Sequence, residues 1–195
     1  MADVRTICVY CASSNRVDEC YNSAAHKLGA LLAREGISLV TGGGSIGLMR
    51  AVEDGTLEGG GRAIGVIPQF MVEQGWHHTG LTELRITEDM HTRKQTMAAL
   101  SDAVIALPGG CGTMEELCEI ITWKQLGLYL NPIVILNING YYDALRAQLQ
   151  RAIDEHFMGR IHADIWSVAT TPEEALEQIR KTPVWDPSIR KYAAL

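Results

Sequence analysis

AVIALPGGCGTMEE, running from Ala103 to Glu116, is an apolar run that meets a proline and a cluster of glycines and then turns into helix-forming residues. An apolar stretch this short, with no polar residue alternating through it, fits a strand covered on both faces, as in a parallel sheet. Gly109, Gly110 and Gly112 stand at the strand-to-helix junction. Such a junction exposes backbone N–H groups beside the positive end of a helix, so a phosphate can seat there with Thr113 donating its hydroxyl. The same residues also suit a plain glycine turn with Thr113 as N-cap.

The pattern repeats on both sides of this stretch. Further short apolar runs lie at Ile7 to Cys11, Ile37 to Val40, Ala63 to Ile67, Leu84 to Thr87, Ile133 to Leu136 and Ser167 to Ala169. Between them come helical spacings. Ala24, Ala25, Leu28, Leu31 and Leu32 form one, closed by Gly36, and Ile46, Met49 and Val52 begin another, closed by Gly59 to Gly61. Thr171, Pro172 and Glu174 read as N-cap, first helical position and capping-box acid of the last helix. Only Gln69 to Thr82, with its Trp and His residues, reads as an irregular loop or lid. No repeat or linker interrupts residues 1–195, so one doubly wound α/β domain with a parallel sheet is predicted. Ligands bind such sheets beyond the carboxyl ends of the strands, which directs attention to the loops after the second and fifth strands.

Composition agrees with an ordinary folded domain: 195 residues, 47% hydrophobic and 21% charged. The net charge of −6 and the lack of a Lys/Arg block argue against nucleic acid or an anionic membrane as partner. No run reaches the roughly 18 apolar residues of a spanning helix, and Met1 to Arg5 lacks a leader's apolar stretch, so a cytoplasmic location is expected. The five cysteines, Cys8, Cys11, Cys20, Cys111 and Cys118, are odd in number and are expected to be reduced thiols. Cys8 and Cys11 share a C-x-x-C spacing, but residues three apart on a strand face opposite ways, which disfavours a redox or metal pair. His77, His78 and His91 show no metal-ligand spacing, and Cys111 has no assigned base for a covalent mechanism.

Three segments carry chemistry. Gly42-Gly43-Gly44-Ser45-Ile46-Gly47 satisfies G-x-G-x-x-G between a strand and a helix. It follows the second strand, however, and Pro68-Gln69 stands where a dinucleotide site would place a ribose-binding acid. A backbone contact to phosphate or ribose, or a tight turn for close packing, fits better. In Met90-His91-Thr92-Arg93-Lys94-Gln95-Thr96-Met97, helical spacing sets Arg93 on the apolar face of Met90 and Met97, with Lys94 adjacent. Both cations can hold an anion there or snorkel from a helix edge. In the helix after the glycine turn, Met114, Leu117, Cys118 and Ile121 form one apolar stripe. Ile120 and Trp123 form a second on the side of Glu116, while Glu115 and Glu119 take a more solvent-like arc. Glu116 is thus the carboxylate expected to be enclosed and to need a cationic partner, unless it is a surface or capping acid. The second stripe is surplus to one sheet face, so a homodimer contact is expected on the Ile120 and Trp123 side.

Met90-His91-Thr92-Arg93-Lys94, taken with Pro108-Gly109-Gly110-Cys111-Gly112-Thr113-Met114-Glu115-Glu116, closely resembles the LOG (Lonely Guy) family of cytokinin riboside 5′-monophosphate phosphoribohydrolases. The resemblance extends through Cys8 to Ser14, the triple glycine with Ser45 to Met49, Gly65-Val66-Ile67-Pro68, and Ile121 to Gly127, in the family's order. It implies a Rossmann-like fold, usually a homodimer, that hydrolyses the N-glycosidic bond of AMP or an N6-substituted relative to free base and ribose 5-phosphate without a redox cofactor. Carried across, Arg93 and Glu116 match the family's catalytic pair. Lys94, Gly110, Cys111, Gly112, Thr113, Met114, Glu115 and Thr122 match its nucleotide contacts. Two positions depart from the family pattern: Ala12 where Gly is frequent, and Gly75 where an acid is frequent. Glu73, two residues away, is the acid available to replace the latter. Proteins of this kind were often labelled lysine decarboxylases, but no recognisable pyridoxal phosphate site is present in the sequence. The competing class is a non-catalytic nucleotide-binding or cofactor-carrier protein on the same kind of sheet, against which the pairing of Arg93 with Glu116 speaks.

Overall fold

A computed structural model describes residues 4–192. Seven strands, β1 (Thr6–Tyr10), β2 (Ser38–Thr41), β3 (Ala63–Pro68), β4 (Glu83–Thr87), β5 (Ala103–Ala106), β6 (Ile133–Leu136) and β7 (Ser167–Ala169), form one sheet in the order β4-β3-β2-β1-β5-β6-β7. Every pairing is parallel. The order runs one way from β1 to β4 and the other way from β5 to β7. β1 and β5 therefore pair at the switch point, Ile7 opposite Ala103 through Tyr10 opposite Ala106.

Alternation along each strand builds two cores. Ile7, Val9, Leu39, Ile105 and Val134 face α1 (Glu19–Arg34), α2 (Gly47–Glu58) and α7 (Pro172–Lys181). Cys8, Tyr10, Val40, Val104 and Ile135 face α4 (Met90–Ala99), α5 (Cys111–Gln125) and α6 (Asp143–Asp154). The sheet is doubly wound, as the apolar runs predicted. Cys8 and Cys11 lie in opposite cores, and burial pushes both thiols up.

Local chemistry fixes the helix starts. Asp18 accepts from Cys20 N at 2.9 Å, Asp89 from Thr92 N at 2.7 Å, and Thr171 from Glu174 N at 3.2 Å with Pro172 behind it. The segment expected to be irregular is not wholly so. Pro68 opens a one-turn helix, α3 (Gln69–Glu73), and His77 pairs with Gly44 through an isolated antiparallel bridge. Within α5 the two expected stripes shift: Cys118 is exposed, while Ile120 is buried in the chain's own core and Trp123 is half-buried against it.

Candidate active site

The carboxyl ends of β1, β2, β3 and β5 surround a cavity of about 590 Å³. Its charged centre is the Arg93–Glu116 pair, brought together from α4 and α5. Arg93 Nη1 donates to Glu116 Oε1 at 2.9 Å, and Arg93 Nε donates to the Val66 carbonyl at 3.0 Å. Both side chains are buried and both line the cavity. Burial pushes the Glu116 carboxyl above its ordinary range, and the Arg93 guanidinium opposes that rise by favouring the charged form.

The triple glycine makes room for this pair. A Cβ on Gly42 would collide with Arg93 Nη2 and lie 3.1 Å from Cζ. Gly47 has φ +69°, and a Cβ there would stand 2.8 Å from the Ser13 carbonyl carbon, so the loop after β1 closes tightly on the start of α2. The α3–β4 segment is tied over this turn: Ser45 N donates to the Trp76 carbonyl, and His78 N donates to the Gly43 carbonyl, each at 2.9 Å. His78 Nε2 also lies 2.9 Å from Asp54 Oδ1. Ile46, Met49, Met71, Trp76 and Met90 give the cavity an apolar side.

Across from it stands the start of α5, whose N-cap Gly110 supplies no side-chain bond. Gly110, Gly112, Thr113 and Glu115 line the cavity there, and Thr113 is buried. The helix thus presents its positive end to the cavity without a protein anion capping it from its own N-cap.

The remaining sequence candidates lie apart from the cavity lining. Lys94 is buried beside the pair, bonded to Glu115 and, at 3.1 Å, to Glu119. Burial works against its ammonium, but these two carboxylates more than offset it and hold its pKa above the ordinary value. Cys111 is exposed and Met114 half-buried. Thr122 is exposed and returns its hydroxyl to the Cys118 carbonyl at 2.8 Å. Glu73 is exposed and accepts from Gln69 Nε2 at 3.0 Å. Conversely, the Val66 carbonyl that grips Arg93, and Trp76 with Met71 on the apolar side, were not singled out from sequence. Among the described residues no group of three or more His, Cys, Asp or Glu could hold a metal ion, and no helix is long and apolar enough to cross a membrane.

Residues 49–179 match a family model described as "Possible lysine decarboxylase". Cytokinin riboside 5′-monophosphate phosphoribohydrolase LOG3 of Arabidopsis thaliana is 42% identical over 177 residues, 91% of this chain and 82% of the relative. LOG4 of the same plant, which carries the same description, is 43% identical over 175 residues, 90% of this chain and 81% of the relative. Among solved structures, the molybdenum cofactor carrier protein of Chlamydomonas reinhardtii has the same fold, with a TM-score of 0.71 at 23% identity, covering 91% of this chain and 97% of that one. Similarity at that level of identity speaks for the fold alone. The family model and the relatives at 42–43% identity, together with a sheet whose switch point opens on a buried Arg–Glu pair, show that the chain belongs to the LOG family of cytokinin riboside 5′-monophosphate phosphoribohydrolases.

Proposed function

We propose that this chain hydrolyses the N-glycosidic bond of AMP or an N6-substituted adenosine 5′-monophosphate, releasing the free base and ribose 5-phosphate. One observation carries the reading: a buried Arg93–Glu116 pair shares a cavity with the glycine-rich start of α5. The helix start takes the 5′-phosphate, and the apolar side with Trp76 and Met71 takes the base and any N6 substituent. The ribose then lies between them, beside Glu116.

Cleavage builds positive charge on the ribose while the base departs with the bonding electrons. A carboxylate near the sugar lowers that barrier. Glu116 commits Oε1 to Arg93, which leaves its other oxygen to orient and deprotonate the attacking water. The water's OH forms the new bond to the ribose as the bond to the base breaks, and the departing base gains one proton at its ring nitrogen, so that the proton taken by Glu116 is balanced. Arg93 spends Nε on Val66 and Nη1 on Glu116, so its main duty is to hold the carboxylate charged and aimed. Binding energy from the phosphate is turned into orientation of the reacting bond.

The test is incubation with AMP, N6-isopentenyl-AMP and adenosine, followed by chromatography for free base. Both nucleotides are expected to be cleaved, and adenosine at least about a hundredfold less efficiently, equivalent to ~2.7 kcal/mol of lost transition-state binding. A nucleotide that binds and stays intact would instead support the carrier reading. Glu116→Gln is expected to keep AMP binding and lose most turnover. Free thiols and the absence of a membrane-crossing helix among the described residues support a cytoplasmic location, which fractionation of the native cells would test. A homodimer is also proposed. With Ile120 covered within the chain, the α5 arc of Cys118 and Thr122 is the surface offered for it, and an active monomer in micromolar sedimentation runs would count against it.

A further inference from the structure

We propose that Tyr141 is a positioning residue that turns the Gly109 carbonyl of the loop after β5 away from the cavity, so that the Gly110 amide is set for the substrate phosphate, with Tyr142 anchoring the base of the same loop at the Leu107 carbonyl. The proposal rests on the phosphate placement made above.

The loop from Leu107 to Gly110 contains two glycines and a proline, a sequence with little intrinsic reason to hold its peptide planes in one orientation. Yet each of its four carbonyls has a donor. Tyr142 Oη donates to Leu107 O at 2.7 Å, and Ala12 N donates to Pro108 O at 3.2 Å. Tyr141 Oη donates to Gly109 O at 2.7 Å, and Met114 N donates to Gly110 O at 3.0 Å. In a trans peptide the N–H of the next residue points opposite to the carbonyl. Fixing Gly109 O therefore fixes Gly110 N–H, and Gly110 lines the cavity. Of the four donors, two are backbone amides that the fold supplies in any case. The other two are adjacent tyrosine side chains.

The tyrosines are themselves braced. Tyr142 is 1% exposed, and its backbone N donates to Asn137 Oδ1 at 2.7 Å while Asn137 Nδ2 donates to Asp143 Oδ1 at 2.8 Å. The two rings meet edge to face with centroids 5.1 Å apart, and Tyr21 packs on Tyr141 from the other side at 6.0 Å. Burial holds the Tyr142 phenol far above its ordinary pKa, so it stays a donor across the working range of pH. Neither tyrosine lines the cavity; any effect on the substrate passes through the loop.

Tyr141→Phe is the informative variant, because Tyr141 is 43% exposed and its hydroxyl can be lost without opening the core. Titration calorimetry with ribose 5-phosphate is expected to show about five- to tenfold weaker binding than wild type. KM for AMP should rise by a similar factor, kcat/KM for adenosine should stay unchanged, and the melting temperature should move little. Tyr142→Phe, which frees the carbonyl of a peptide that carries no N–H, should cost more stability and weaken ribose 5-phosphate binding less than Tyr141→Phe. A merely structural role would lower AMP and adenosine turnover alike. Wild-type affinity for ribose 5-phosphate in Tyr141→Phe overturns the proposal, even in an active enzyme. Weakened binding in a protein that cleaves no nucleotide supports it and overturns the hydrolase reading instead. Failure of the wild type to bind ribose 5-phosphate at all overturns the phosphate placement and this proposal with it.

Discussion

Adding a single methyl group at Gly42 is expected to disable the site without altering either member of the Arg93–Glu116 pair. The backbone at Gly42 is one that alanine can adopt, since its φ is not in the left-handed region. The obstacle is Arg93: the new Cβ would collide with Nη2 and would stand 3.1 Å from Cζ and 3.2 Å from Met49 Cε. To regain the ~3.5 Å of ordinary contact, the guanidinium must retreat by about 1.5 Å. It has little freedom to do so, being 6% exposed and tied to Val66 O at 3.0 Å and to Glu116 Oε1 at 2.9 Å. A retreat of that size stretches both bonds past the limit of useful geometry. Each charged hydrogen bond is worth about 1.5–3 kcal/mol, so partial loss of both predicts a stability deficit of roughly 2–4 kcal/mol. Glu116 would then be left buried with its counter-charge displaced, and its pKa, already raised by burial, would climb further. If Glu116 acts as the ionised base, kcat should fall by about two orders of magnitude at neutral pH. Part of that loss should return as pH rises, because the acid limb of the profile moves upward. Base release measured from pH 5 to 9, alongside thermal melts, checks both effects. Wild-type kcat/KM with an unmoved acid limb would refute the claim that Gly42 exists to seat Arg93.

Two further substitutions separate ligand binding from folding. Among the described residues nothing beyond its chain neighbours and its own helix lies within 4 Å of where a Cβ on Gly112 would stand, yet Gly112 lines the cavity at the α5 start; Gly112→Ala should leave the melting temperature within about 1–2 °C and raise KM for AMP, and an unchanged KM would remove phosphate from that position. Glu53 is fully buried, bonded to Thr41, with Oε2 lacking a partner among the described residues, and burial raises its carboxyl from the usual 4.5 to about 8. Between those two pH values the unfolded chain releases a proton that the folded chain keeps, so stability falls through this window by up to roughly 4–5 kcal/mol. Glu53→Gln cannot ionise; its stability relative to wild type should therefore improve steadily from pH 5 to pH 8.5, and a pH-independent difference would show that Glu53 is ionised in the folded protein.

What could be read from sequence was whatever depends on local periodicity. The short apolar runs gave the strands to within a residue or two, and Thr171-Pro172 marked the start of α7. The shared face of Arg93 and Met97 and the enclosure of Glu116 followed from 3.6-residue spacing alone. What stayed hidden depends on pieces of chain that are remote in sequence. Val66 holds Arg93 from 27 residues away, and no pattern in either segment announces it. Gly42 looked like part of a phosphate or turn motif because its steric role appears only when α4 is laid against β2. Spacing also explains why the family-matched Thr122 does not face the cavity with Glu116. Six residues along a helix turn the side chain by about 240°, which puts the two on different sides of α5. An apolar stripe containing Cys118 was a reasonable reading of composition, but the sheet covers only the arc holding Leu117, Ile120 and Ile121.

The placement of charge around Glu116 is hard to explain as a device for stability. Exchanging a buried ion pair for apolar side chains of similar volume is commonly neutral or favourable, because the attraction barely repays the desolvation of both ions. Here the arrangement is more elaborate than a pair. Glu115, next along the helix, pushes the Glu116 carboxyl further up, and Lys94 pulls it down. Lys94 in turn is bonded to Glu115 and Glu119, so the second cation lies beside the pair without replacing Arg93 in it. The result is one carboxylate whose charge is costly but supported, at the edge of a cavity and beside an uncapped helix start. A fold needs none of this to hold its sheet together, whereas a reaction that develops positive charge on a sugar needs an anion that is desolvated, fixed and not fully neutralised. On the proposed reading Lys94 tunes the field at Glu116. Lys94→Met should therefore move the acid limb of base release measured from pH 5 to 9 more than it weakens AMP binding measured by calorimetry, and an unmoved limb with weakened binding would instead make Lys94 a nucleotide contact.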